Sequence, residues 1–170
     1  MKTCLSQKIE LFEVAGPYDI PREGGLVSND ISEFWLENGY SESFGCYIFA
    51  ARTGRGITPL YVGKTMKSFQ KECFTDHKQN HYTRALNNYA KCTPVMFFIV
   101  YPGRKSERAK KSIKELEEFL IFTGQQVNPK LRNIKRPKVP EWGIKGVLRS
   151  KGSMANKSAK YFREVFHLSS

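Results

Sequence analysis

Two tyrosines stand close to glycines in neighbouring apolar runs, Tyr47 in Gly45-Cys46-Tyr47 and Tyr61 in Tyr61-Val62-Gly63. On paired strands the two phenols would sit near each other, where their hydroxyls can reach one phosphate or the water that attacks it. Tyrosine is a poor base at neutral pH, with a reference pKa of about 10, so Tyr47 can accept a proton only where a cation stabilises the phenolate. Lys64, next to Gly63, is placed to be such a cation, and Gly63 suits a close approach of backbone or substrate. Further on, His77 is either a base or phosphate contact, or an exposed helical histidine. The carboxylates Glu115, Glu117 and Glu118 read by themselves as a solvated helix face.

The elements that must position these groups follow from pattern. GCYIFAAR, from Gly45 to Arg52, the loop TGRGITP and the returning PLYVGKT predict an antiparallel pair of strands. Ser68 is a candidate N-cap for a helical stretch from Phe69 to Lys91, with a break near Thr75 to His77. TPVMFFIVYP, Thr93 to Pro102, is a continuous apolar run ending in Pro-Gly and predicts a central strand covered on both faces. From Ser106, Ala109, Ile113, Leu116 and Leu120 mark one face of a helix that should close at Gly124. Residues before about Ser43, with the strand-like IELFEV and the short helix DISEFWLENG, read as a cap; a last amphipathic stretch, NKSAKYFREVFHL, ends the chain.

Length and composition fit one domain with decorated ends: 170 residues, 40% of them apolar, and no apolar run long enough to span a bilayer. The first twenty residues lack a signal-peptide core, and Cys4, Cys46, Cys73 and Cys92 form no CxxC pair. Free thiols and a soluble, cytoplasmic protein are the expectation. Lys and Arg number 28 against 16 acids, a net charge of +12, which attracts polyanions. The segment before Phe44 is net acidic, and the one from Lys130 onward is strongly basic. That tail carries a candidate phosphate-binding surface, and its Trp142, Phe162 and Phe166 either stack on bases or belong to the core.

Taken in order, Gly45-Cys46-Tyr47, Tyr61-Val62-Gly63, Glu117 to Ile121 in LEEFLI and Asn128-Pro129-Lys130-Leu131-Arg132-Asn133 resemble the signatures of the GIY-YIG nuclease family, with Cys46 in place of the usual isoleucine. The resemblance covers residues 44–133, leaving an N-terminal cap, 1–43, and a basic C-terminal extension, 134–170. It implies an α+β fold built on a small three-stranded antiparallel sheet flanked by helices. It also implies a metal-dependent endonuclease that hydrolyses phosphodiester bonds, with DNA as the expected substrate. Glu117 would then hold magnesium or manganese, since a hard cation that keeps its waters needs few protein ligands. Tyr47 and Tyr61 would be active-site tyrosines, and Asn133 would brace the site.

The first helix departs from the family pattern. Where an arginine and then a histidine are usual, this chain has Lys71 and, beyond Thr75, His77. Lysine keeps the charge and loses the bidentate fork. The catalytic set is therefore read as Tyr47, Tyr61, Lys71, His77 and Glu117, with Lys64, Arg132, Asn133 and Arg149 touching nucleic acid. The alternative is a catalytically inert nucleic-acid-binding module on the same fold. Double-strand cutting by a one-site domain requires a homodimer or two nicks, and the sequence leaves both open.

Overall fold

The computed structural model describes residues 9–23, 26–27, 31–89, 91–127, 142–148, 150 and 156–168. Its strands are β1 (Glu10–Asp19), β2 (Arg22–Glu23), β3 (Leu26–Val27), β4 (Gly45–Thr53), β5 (Gly56–Thr65), β6 (Thr93–Val100) and β7 (Trp142–Ile144). Its helices are α1 (Ser32–Asn38), α2 (Phe69–Glu72), α3 (Asp76–Leu86), α4 (Glu107–Val127) and α5 (Lys157–Phe166). The chain is α+β, with a mixed five-stranded sheet in the order β5-β4-β6-β1-β7 and β2 paired with β3 apart from it. No helix among the described residues is long and apolar enough to cross a membrane.

The aromatic and β-branched runs form the hairpin β4–β5, closed by Gly54 and Arg55, with Thr53 opposite Gly56. Thr93 to Val100 is indeed the middle strand, and Val95, Met96, Phe97, Phe98 and Ile99 are wholly buried because helices cover both sides of it. The helical stretch breaks between Glu72 and Asp76, giving α2 and α3.

The sheet is wider than the three strands expected. The antiparallel trio β5-β4-β6 is present, and β1 pairs antiparallel with β6 while β7 pairs parallel with β1. The far edge of β6 would otherwise expose a row of unpaired backbone groups, and β1 satisfies them. IELFEV is thus a core strand as well as part of the cap, with Phe12 fully buried and Val14 nearly so. A second correction concerns α4, which continues past Gly124 to Val127. Gly124 is buried against Phe166, and a Cβ there would meet the Phe166 ring at 3.4 Å, so this glycine serves close helix packing and does not end the helix. Trp142, Phe162 and Phe166 are all buried, which places them in the core and not on a base-stacking surface.

Alternation along the strands divides the core in two. Cys46, Ile48 and Ala50 of β4 and Phe97 and Ile99 of β6 pack with α4 and α5 residues such as Ile113, Leu116 and Phe162. Tyr47, Phe49 and Ala51 of β4 and Met96 and Phe98 of β6 pack with Phe34 and Trp35 of α1, Phe69 of α2 and Tyr82 of α3. The hairpin therefore presents one face to α4 and the other to α2 and α3.

If β1 belongs to this core, Phe12→Ala should lower stability by about 3–5 kcal/mol in equilibrium urea unfolding. A loss below about 1 kcal/mol would show that β1 is a dispensable cover.

Candidate functional site

The register of the hairpin brings the tyrosines together. Tyr47 lies opposite Gly63 and Phe49 opposite Tyr61, so both phenols project to the α3 side of the sheet. Their ring centroids are 6.2 Å apart. A Cβ on Gly63 would come within 2.3 Å of Tyr47 Cζ and 2.4 Å of its hydroxyl oxygen, so a side chain at this place would collide with the buried ring. Just beyond Tyr61 the ladder shifts register by the extra residue Leu60, and Pro59, which has no N–H to donate, is tolerated on this edge strand.

Tyr47 is completely buried, and its hydroxyl has no hydrogen-bond partner among the described residues. Burial is the main cause that pushes its pKa far up, and the nearby Cys73, Tyr61 and Glu72 push in the same direction. Lys64 does not offset this. It stands opposite Cys46, on the α4 face of the sheet, where its ammonium is paired with Glu117. The reading of Tyr47 as a base is therefore not supported by its surroundings.

Tyr61 is placed differently. It is half-buried, and the ammonium of Lys78 donates a 2.5 Å hydrogen bond to its phenolic oxygen. Lys78 lies 3.9 Å from Glu72, and its own side chain is only 17% exposed. The His81 ring stacks on Tyr61 with centroids 6.1 Å apart, and the Nε2 atoms of His77 and His81 are 3.1 Å apart. His77 thus lies in the cluster through His81.

Lys71 does not join it. Phe69 anchors α2 inward, and Lys71, two residues on, points about 200° away around the helix. It lines a groove with Trp35 and Leu36 of α1 and Phe74. Lys78 holds the place expected for Lys71, and sequence reading missed it. The signal lay one turn downstream: Tyr82, four residues after Lys78, is a buried α3 residue packed beside Tyr61 at 5.8 Å, so Lys78 shares its face. Arg132, Asn133 and Arg149 lie outside the described residues.

On the other side of β5, Glu117 of α4 is paired with Lys64, their side chains 17% and 40% exposed. No cluster of three or more His, Cys, Asp or Glu side chains able to hold a metal occurs among the described residues. A single carboxylate still suits a hard cation completed by waters and substrate oxygens, and Glu117 offers that donor chemistry with Lys64 as its competitor. Tyr61 and Gly63 lie on the strand between these two ion pairs, at an edge of the sheet among the described residues. Such an arrangement can hold an anion between ammonium groups that are already oriented.

No protein-family model, curated protein or solved structure matches the chain.

The orphan hydroxyl gives a direct check. Tyr47→Phe should leave stability unchanged or raise it by about 1 kcal/mol, whereas Tyr61→Phe should lower it by about 1–2 kcal/mol by stranding the Lys78 ammonium. Urea unfolding of both variants beside the parent chain reads the difference. A loss above about 2 kcal/mol for Tyr47→Phe would show that its hydroxyl is bonded in solution.

Proposed function

We propose that this chain is a GIY-YIG-like phosphodiester hydrolase that acts on nucleic acid, with DNA as the first substrate to test. The observation that carries the reading is the seat on the β5 edge. Tyr47, Tyr61 and Gly63 meet across one hairpin, with Lys64–Glu117 on one side and Lys78–Glu72 on the other. These are the residue types that a phosphate and its attacking water require, set in the chain order that the motifs predict. The net charge of +12 supplies the long-range attraction for a polyanion.

In this reading Lys78 takes the phosphate-binding role first assigned to Lys71. Its ammonium donates into the Tyr61 oxygen, so the Lys78 charge and the Tyr61 hydroxyl meet at one place, where together they would hold a phosphate oxygen and orient the attacking water. Tyr47, wholly buried, then acts as the inner wall of the site, packed against Tyr61. Glu117 would exchange Lys64 for a divalent cation, magnesium or manganese, which when bound would stabilise charge on the phosphoryl and leaving oxygens. The freed Lys64 ammonium would be a second phosphate contact.

A second reading, an inert nucleic-acid-binding module, is favoured by one specific observation: the buried Tyr47 and the outward Lys71 remove two of the groups expected to do chemistry.

Supercoiled plasmid, a labelled single strand and a branched duplex incubated with magnesium or manganese decide between them. The nuclease reading expects metal-dependent cleavage that falls at least about 100-fold in Glu117→Gln and in Lys78→Met. It also expects Lys71→Met to retain cleavage within about threefold, because that side chain points away from the tyrosines. Salt-sensitive binding with no cleavage of any of the three would establish the binding module.

A further inference from the structure

We infer that His77 and His81 form a two-histidine site for a transition-metal dication of the zinc, cobalt or nickel class, distinct from the hard-cation position at Glu117. The two residues are four apart on α3, hence on one face of the helix, and both are exposed. Their Nε2 atoms face each other at 3.1 Å, and their rings are nearly perpendicular, at 87°. Imidazole nitrogens bind zinc at about 2.0–2.1 Å, and two such bonds spanning the 3.1 Å separation meet at about 98°, between the octahedral and tetrahedral angles. The pair thus already has the bite of a chelate. Without metal, one ring donates its Nε2–H to the other across the same gap; on binding a dication that ring takes the Nδ1–H tautomer, so that both Nε2 atoms present lone pairs.

Orientation is fixed from outside the pair as well. His81 stacks on Tyr61 at 6.1 Å and 25°, which limits rotation of its ring and places the metal beside the phosphate seat. With only two protein ligands, the remaining positions fall to water or to an oxygen of a bound anion. Imidazole is a borderline ligand that suits this class of metal, while magnesium prefers oxygen donors; the two histidines and Glu117 therefore select different cations. The charges nearby on α3 are Asp76, Lys78 and Arg84. Lys78 is turned to Tyr61 and to Glu72, whose carboxylate offsets its charge, and Arg84 is exposed, so solvent screens its repulsion.

The test needs neither substrate nor turnover, so its outcome is independent of the nuclease reading. Zinc and magnesium are titrated separately into the full chain by calorimetry, and cobalt is followed by its visible absorption. The expected result is one saturable zinc site, with cobalt absorption at the same stoichiometry and no comparable heat from magnesium. His77→Gln and His81→Gln should each weaken zinc at least about tenfold, and both substitutions are at exposed positions that leave the fold intact. Zinc affinity unchanged in the double variant, or no saturable binding by the parent chain, would overturn the assignment.

Discussion

The pairing of β4 with β5 is the constraint on which the site depends. Because side chains alternate along a strand, a slip of one residue would send Tyr47 to the α4 face and Cys46 to the α3 face. Three features hold the register. The turn at Gly54 and Arg55 is short; β6 clamps the other side of β4, with Tyr47 opposite Phe98; and the missing side chain at Gly63 is the space in which the Tyr47 ring lies. The last of these is the most selective, since no other residue at position 63 leaves room for a ring in this register. Motif and packing are one requirement here: the glycine is needed because the tyrosine opposite it is buried.

From that register follows a site that straddles a sheet edge. Among the described residues β5 is the edge strand of the sheet, paired with β4. The two ion pairs, Lys64–Glu117 below and Lys78–Glu72 above, are partly exposed and contribute little to stability. Their more consequential effect is orientation. Each carboxylate holds a flexible lysine side chain in place beside the strand, so under the proposed function less conformational entropy would be lost on binding an anion. The same carboxylates limit the repulsion between the ammonium groups.

Much of this was legible because it is local. The hairpin, the buried run of β6, the periodicity of α4 and a break in the helical stretch, expected near Thr75 to His77 and found over Cys73 to Thr75, are each encoded within a dozen or so residues. The proximity of Tyr47 and Tyr61 follows from the hairpin alone. What escaped was set by contacts between distant segments. The alternation of IELFEV shows that it can be a strand and cannot show that β6 needs a partner, so the sheet came out two strands too narrow. Gly124 looks like a helix stop until Phe166, from another helix, is seen to press on it. Burial of the Tyr47 hydroxyl likewise depends on Phe69, Cys73 and Tyr82 closing over it, and no property of the tripeptide Gly45-Cys46-Tyr47 reveals that.

The exchange of Lys71 for Lys78 shows most sharply why a motif read along a helix can select the wrong residue. On an unbroken helix, residues seven apart lie within about 20° of one face, so the two lysines would be equivalent candidates for the same phosphate. The break over Cys73 to Thr75 removes that equivalence. It leaves α2 as a single anchored turn whose outer side meets α1, and it starts α3 afresh in a direction fixed by Tyr82 packing against Phe49 at 4.1 Å. Lys78, one turn before Tyr82, is carried over Tyr61 by that packing. The residue that reaches the tyrosine is therefore chosen by where the helix breaks and by the aromatic contact that aims the second half.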